Sequence, residues 1–86
     1  MISKVAVSFW RRFYELPESI QQLARKNYRL WQANPQHPSL RFKPFKGLHW
    51  SVRVGQHYRA VGYFRDDSTF IWTWIGSHED YNKLSL

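Results

Sequence analysis

The sequence contains no cysteine. A disulfide framework and a thiolate-ligated zinc site are therefore excluded, and the absence fits a reducing compartment, so we expect a cytoplasmic protein. Histidines do not replace the missing thiols, because the four of them are scattered along the chain without a metal-ligand spacing: His37, His49, His57 and His78. We expect chemistry that needs no metal ion and no other cofactor.

Acidic residues are missing from more than half of the chain. There is none between Glu18 and Asp66, yet that stretch holds nine lysines and arginines: Arg25, Lys26, Arg29, Arg41, Lys43, Lys46, Arg53, Arg59 and Arg65. Positive charges on a compact fold repel one another, a cost that a polyanionic partner removes, and phosphate backbones bind such surfaces with release of counterions. With a formal net charge of +7, the sequence predicts a nucleic-acid partner.

Long apolar runs are also absent. No stretch approaches the roughly 20 residues needed to span a bilayer, and residues 1–4 lack the apolar core of a signal peptide, so we expect no membrane association. The 86 residues are 43% hydrophobic, which is too apolar for a disordered chain. Because no repeat, low-complexity tract or linker divides them, residues 1–86 are expected to form one domain.

Two helices are predicted before residue 35. Residues 8–16 are expected to form a short one, with Ser8 as its N-cap. The second begins at Pro17, which is favoured in a first helical turn, and ends near Asn34, because a residue before proline disfavours helical dihedrals. It is amphipathic, and its outer face is basic.

After a loop at 34–39, the apolar period changes from helical to two, which is typical of strands. Strands are predicted near 40–43, 50–54, 58–64 and 69–75, and their short connections favour antiparallel neighbours. A weaker pattern at 2–7 allows an extra edge strand, and the tail from Gly76 is polar. The predicted fold is α+β, with two N-terminal helices packed on a three- to four-stranded antiparallel sheet.

The candidate site combines a hairpin with the end of the last strand. Alternation places Arg53 and Arg59 on one exposed face, where they are either an anion clamp or two solvated arginines. His78 and Tyr81 follow the point where the last strand stops at Gly76, and strand ends are places where scaffolds display reactive groups. A histidine there is otherwise an ordinary surface residue.

Several segments, taken in order, resemble the RelE/ParE superfamily of toxins from bacterial toxin–antitoxin pairs. They are the two basic helices, LRFKPFKG (40–47), WSVRV (50–54), YRAVGY (58–63) and WIGSHEDY (74–81). The likeness is greatest to the HigB- and YoeB-like branches and spans nearly the whole chain. It implies a microbial-ribonuclease-like fold and an mRNA interferase that inhibits translation, usually on the ribosome, until an antitoxin binds it.

The resemblance also implies roles for individual residues. Arginines like Arg53 and Arg59 bind the scissile phosphate in these enzymes, and a C-terminal histidine or tyrosine like His78 and Tyr81 takes part in proton transfer. Lys43 and Lys46 match the family's basic residues before the hairpin, and Arg41 beside them is a further candidate RNA-binding residue. One departure concerns the glutamate base of the YoeB-like branch, since Leu40 falls near its expected position.

The chemistry of metal-free RNA cleavage favours the same residues. It needs a base for the 2′-OH, cations for the phosphorane and an acid for the 5′-oxygen. Arginine suits the second task, because its planar fork grips two phosphate oxygens and stays charged. His78 is assigned as the acid, because imidazole exchanges a proton readily near neutral pH, and Tyr81 orients the substrate or assists.

Two other functions remain open from the sequence. A ParE-like protein that poisons DNA gyrase shares the scaffold but needs no phosphodiesterase residues, and a non-catalytic basic module would bind nucleic acid without cutting it. The basic helix face, formed by Arg25, Lys26 and Arg29, is either solvated or a contact to ribosomal RNA. The combination of Arg53, Arg59, His78 and Tyr81 favours the ribonuclease.

Overall fold

A computed structural model describes residues 1–85 of the chain. It contains five strands, three α-helices and a short 3-10 helix, in the order β1 (Ile2–Val5), α1 (Val7–Phe13), α2 (Glu18–Ala33), 3-10 helix (Pro38–Leu40), β2 (Lys43–Pro44), β3 (His49–Val54), β4 (Tyr58–Asp66), β5 (Thr69–Ser77) and α3 (His78–Asn82). No helix in this described range is long and apolar enough to cross a membrane.

The strands form one mixed sheet in the order β1-β5-β4-β3-β2. Strands β2 to β5 are antiparallel neighbours, as their short connections predict. Strand β1 instead runs parallel to β5, from Ile2 opposite Thr69 to Val5 opposite Trp72. The α+β prediction is therefore confirmed, with five strands rather than three or four, and the edge strand that the 2–7 pattern allowed is present.

Helix α1 begins one residue before the predicted N-cap and ends at Phe13 rather than at residue 16. The prediction of Ser8 as N-cap is wrong. Ala6 holds that position, because β1 leads almost directly into the helix, and the Ser8 hydroxyl instead donates to the Thr73 carbonyl oxygen at 2.8 Å. Ser8 thus ties α1 to β5.

Helix α2 matches its prediction closely, with Pro17 at the N-cap and Asn34 at the C-cap. Ala24 and Trp31 are buried against the sheet, while the cations of the opposite stripe are exposed: Arg25, Lys26 and Arg29. The apolar stripe explains why this helix forms, since burial of one face provides most of the stability of such a helix.

The strand predicted at 40–43 is largely wrong. Leu40 ends the 3-10 helix and is fully buried, and Arg41 follows in the left-handed region with φ 46°. The turn forms because the His37 imidazole accepts a hydrogen bond from the Ser39 backbone N–H at 3.2 Å. The paired segment is thereby shortened to Lys43–Pro44.

The tail that was expected to be merely polar contains α3. Ser77 caps this helix, because its hydroxyl oxygen accepts a hydrogen bond from the Asp80 backbone N–H at 3.1 Å. Glu79 and Asp80 lie in the first turn, where negative charge is favourable to the helix dipole. The helix places Tyr81 against the sheet.

The two faces of the sheet pack against different elements. Helices α1 and α2 cover one face, where aromatic and aliphatic side chains form the core: Phe13, Ala24, Trp31, Leu40, Val52, Val54, Ala60, Phe70, Trp72 and Ile75. Side chains alternate between the two faces along a strand. Val52 faces the core, so Ser51 and Arg53 on either side of it point to the other face. Helix α3 packs on that second face through Tyr81, which contacts Ser51.

Candidate active site

The β3–β4 hairpin brings two predicted site residues together. Arg53 and Arg59 are direct cross-strand partners in the register, three residues on either side of Gln56 in the connection. The turn reverses at Gly55, whose φ of 63° lies in the left-handed region that glycine occupies without strain. Two guanidinium groups therefore stand side by side on the face opposite the core.

A basic cavity of about 160 Å³ opens at this pair. Its lining is four cationic side chains and one hydroxyl: Arg41, Lys43, Arg53, Arg59 and Ser51. Lys43 reaches the cavity because it is the cross-strand partner of Ser51 on β2. Several cations that converge on one concavity, with no carboxylate in its lining, are suited to bind a phosphate group.

The cations that line the cavity repel one another. Burial lowers the pKa of Arg59 from its ordinary value, and the charges of Arg53 and Arg41 lower it further, while Tyr81 acts in the opposite direction. One N–H of the Arg59 guanidinium donates to the Tyr58 carbonyl oxygen at 2.8 Å. A bound anion would relieve the repulsion that these cations exert on one another.

Tyr81 lies beside the cavity and is only 7% exposed. Its hydroxyl oxygen is 2.9 Å from the Ser51 hydroxyl oxygen. The Tyr81 ring stacks on Phe45, with 4.2 Å between the ring centroids and 20° between the planes. Sequence reasoning missed both Ser51 and Phe45, although the period of two already places Ser51 on the same face as Arg53.

His78 lies next to Tyr81 but does not line the basic cavity. It is exposed at the start of α3, its ring centroid is 5.9 Å from that of Tyr81, and its backbone N–H donates to the His57 carbonyl oxygen at 2.7 Å. The structure thus brings His78 together with Tyr81 at the margin of the site. The arginines contact the cavity directly, and the imidazole does not.

Lys46 is the second predicted residue outside the cavity lining. Its ammonium group donates to the Leu84 carbonyl oxygen and lies 5.6 Å from the centre of the Phe45 ring. Lys46 therefore holds the segment after α3 close to the β2–β3 hairpin. No group of three or more potential metal ligands occurs among residues 1–85.

A larger cavity of about 360 Å³ lies on the opposite side of the sheet, between α1, α2 and the strands. Core side chains line most of it, with Arg25 and Arg29 at its edge. It contains none of the predicted catalytic residues, so it differs from the basic cavity in character as well as in position.

Comparison with protein families decides the classification. The model of the family described as "ParE-like toxin domain" matches residues 18–83, which include α2, the sheet from β2 to β5 and α3. The chain belongs to the ParE-like toxin domain family. The predicted membership of the RelE/ParE toxin superfamily is thereby confirmed. No curated protein is significantly similar to it in sequence.

Solved structures of toxins share the fold of this ParE-like domain. A YoeB/ParE toxin from Agrobacterium tumefaciens has a TM-score of 0.70 at 16% identity, with 91% of this chain and 99% of that one covered. The RelB-RelE antitoxin-toxin complex from Methanococcus jannaschii gives 0.72 at 19% identity, covering 94% and 98%. A toxin–antitoxin complex from Mycobacterium tuberculosis gives 0.65 at 18% identity, covering 90% of each chain.

Proposed function

We propose that this ParE-like toxin is a metal-independent endoribonuclease that cuts mRNA, on the ribosome, and so inhibits translation. The observation that supports the proposal most is the basic cavity, in which four cations meet around a single hydroxyl. A gyrase inhibitor or a passive binding module needs positive charge but does not need a cation-lined concavity of this size. A scissile phosphate is the ligand that fits its chemistry.

In the proposed reaction the RNA 2′-hydroxyl gives its proton to solvent water while its oxygen attacks the adjacent phosphorus. The bond to the 5′-oxygen breaks, which leaves a 2′,3′-cyclic phosphate and a 5′-hydroxyl that takes its proton from the acid. Arg53 and Arg59 bind the non-bridging oxygens and stabilise the charge that develops on the phosphorane. Arg41 and Lys43 hold the backbone in the cavity, while Lys46 contributes positive charge outside it. Removal of two or more of these cations should abolish binding of the phosphate.

Proton transfer to the leaving 5′-oxygen is assigned to His78. This imidazole is exposed beside Tyr81, whose hydroxyl contacts Ser51 of the cavity lining. Imidazole is the side chain best suited to donate a proton near neutral pH. Leu40, which stands near the position of the YoeB-like glutamate, cannot act as a general base, because its side chain is apolar and fully buried.

A cognate antitoxin is the proposed protein partner. The Methanococcus jannaschii and Mycobacterium tuberculosis structures with this fold are themselves toxin–antitoxin complexes. The net charge of +7 favours an acidic antitoxin that covers the basic cavity. We expect the gene for this antitoxin to lie next to the gene for this chain. Co-purification with the product of an adjacent small reading frame supports this partner, and absence of any such neutralising protein counts against it.

Mapping of new mRNA 5′ ends tests the ribonuclease directly. Purified protein is incubated with translating ribosomes, and the same mRNA without ribosomes serves as the control for ribosome dependence. New 5′ ends that require Arg53 and Arg59 support the proposal. Intact message at protein concentrations that stop growth of cells contradicts it.

Inhibition of DNA gyrase is the second candidate, and the description of the matching family as ParE-like favours it. A gyrase supercoiling assay distinguishes the two functions, because the ribonuclease has no effect on supercoiling. Inhibition that persists in Arg53→Ala and Arg59→Ala variants would assign the toxin to the gyrase class.

A further inference from the structure

Ser51 connects Tyr81 to the basic cavity. Ser51 lines the cavity, whereas Tyr81 does not. The two hydroxyl oxygens are 2.9 Å apart, and Ser51 is 1% exposed. Ser51 therefore links the lining of the basic cavity to the phenol of Tyr81.

The direction of this hydrogen bond follows from acidity. Either hydroxyl can donate in this contact, and because a phenol is more acidic than an aliphatic alcohol, the arrangement in which Tyr81 donates and Ser51 accepts is favoured. The serine then keeps its own O–H free to donate into the cavity. A donor chain from phenol to serine to anion is cooperative, because each bond polarises the next.

Packing holds both groups in place. Ser51 is flanked in the sheet by Lys43 on β2 and by the fully buried Val61 on β4. Stacking on Phe45 fixes the plane of the Tyr81 ring. Neither hydroxyl has to be ordered when the ligand arrives, which is the condition for a preorganised donor.

We propose that the Ser51 hydroxyl donates a hydrogen bond to a non-bridging oxygen of a phosphate group in the basic cavity, and that Tyr81 acts through Ser51 as a positioning residue. The ligand chemistry is that of a phosphate group, whether it belongs to RNA or is free. The inference rests on the proposed function for its natural ligand, the RNA phosphodiester.

Titration of inorganic phosphate, followed by NMR, tests the inference without any cleavage. Ser51→Ala is expected to weaken phosphate binding about 10-fold, as loss of a hydrogen bond to a charged group does, and Ser51→Thr, which keeps the hydroxyl, to retain most of the affinity. Tyr81→Phe keeps the stack on Phe45 and should cause a smaller loss. The double variant should bind no more weakly than Ser51→Ala, because Tyr81 acts only through Ser51.

Three results would overturn the inference. They are wild-type protein that binds no phosphate, a Ser51→Ala variant that binds as tightly as wild type while Arg53→Ala does not, and a Tyr81→Phe variant that loses more than Ser51→Ala. Circular dichroism of each variant confirms that the fold is retained.

Cleavage of mRNA separates this inference from the proposed function. If the wild type cuts and Ser51→Ala cuts at the same rate with unchanged phosphate affinity, the ribonuclease stands and the role of Ser51 is wrong. If the wild type never cuts but phosphate binding depends on Ser51, the inference stands and the ribonuclease proposal is wrong.

Discussion

At the scale of single residues, Arg59 carries the conflict between stability and ligand binding. It is partly buried opposite Arg53, and burial followed by the charge of Arg53 lowers its pKa. Arginine still stays protonated at any pH that the fold tolerates, so the repulsion persists in the free protein and has no pH window. A bound anion converts this unfavourable contact into a favourable one.

Arg53→Ala and Arg59→Ala should each reduce mRNA cleavage about 10²-fold or more, because each removes a cation that stabilises the phosphorane. The free energy of unfolding should fall little despite this loss of activity. Each substitution relieves like-charge repulsion across the strand pair, which stabilises the fold by a few tenths to about 1 kcal/mol, or less where solvent screens the charges. Arg65→Ala is the control, because Arg65 is exposed and paired with Asp66. Both site variants cutting at the parental rate would contradict the clamp.

His78→Gln should change the pH–rate profile of cleavage. If the imidazole is the acid, the variant loses the limb of the profile that reports its titration, and the rate at neutral pH falls. His49→Gln, on β3, is the matched control and should keep the parental profile. An identical profile in the two variants would remove His78 from proton transfer.

The arginine pair was predictable from sequence, whereas its neighbours were not. Alternation along two strands and one short turn is enough to set Arg53 against Arg59. The contact of Tyr81 with Ser51 depends on where α3 packs, and so does the separation of His78 from the cavity. Such tertiary placement has no local signature in the chain.

At the scale of elements, two departures from the predictions have local causes. Leu40 alternates with Arg41 as a strand residue would, but the hydrogen bond from the Ser39 backbone N–H to the His37 ring and the burial of Leu40 favour a turn. For α3, the Ser77-x-x-Asp80 spacing is a helix-start signal that the polar composition of the tail obscured. Tertiary burial decided the first case, and a missed cap the second.

Gly62→Ala should destabilise the sheet. A Cβ at this buried position would fall too close to the Ile71 carbonyl oxygen and the Phe70 ring, where the β4–β5 register shifts. Overpacking of this kind costs about 1–3 kcal/mol, and because one of the atoms met is a backbone oxygen that cannot move aside, Gly62→Ala should lie toward the upper end, measurable by urea unfolding. Gly47→Ala has open space around it and should lose only the roughly 1 kcal/mol of a left-handed backbone. Equal losses in the two variants would argue against steric contact at Gly62.

The β4–β5 turn should contribute a pH-dependent stability. The Ser68 backbone N–H and then its hydroxyl lower the pKa of Asp66 below its ordinary value of 3.8. The ionised carboxylate therefore stabilises the fold when the pH is above 3.8. This stabilisation is lost as the pH falls from 3.8 through the lowered pKa of the folded protein. Asp66→Asn should therefore lower the melting temperature at pH 7 and converge with wild type at pH 2. A constant difference across that range would contradict the charge-dependent part of the turn.

At the scale of the whole molecule, the sheet separates the hydrophobic core from the basic cavity. Its apolar face is closed by α1 and α2, and its opposite face carries the basic cavity and α3. The fold class could be predicted because the helical stripe and the alternating strands agree with it. The parallel pairing of β1 with β5 could not, since a four-residue edge strand has no sequence signal for its partner.

RNA binding by this molecule should weaken steeply with salt. Each phosphate neutralised on single-stranded RNA contributes about 0.7 to the slope of log affinity against log salt concentration. Arg53→Ala should lower that slope by about this amount, whereas Lys4→Ala, a cation at the far edge strand, should leave it unchanged. Equal slopes for wild type and Arg53→Ala would mean that RNA avoids the basic cavity.

A crystal structure with a short RNA that carries 2′-O-methyl groups, and so resists cleavage, tests the central claim most directly. We predict one phosphate in the basic cavity, with its oxygens about 3 Å from the guanidinium nitrogens of Arg53 and Arg59 and from the Ser51 hydroxyl. RNA bound elsewhere on the surface, with that cavity unoccupied in the complex, would contradict the account.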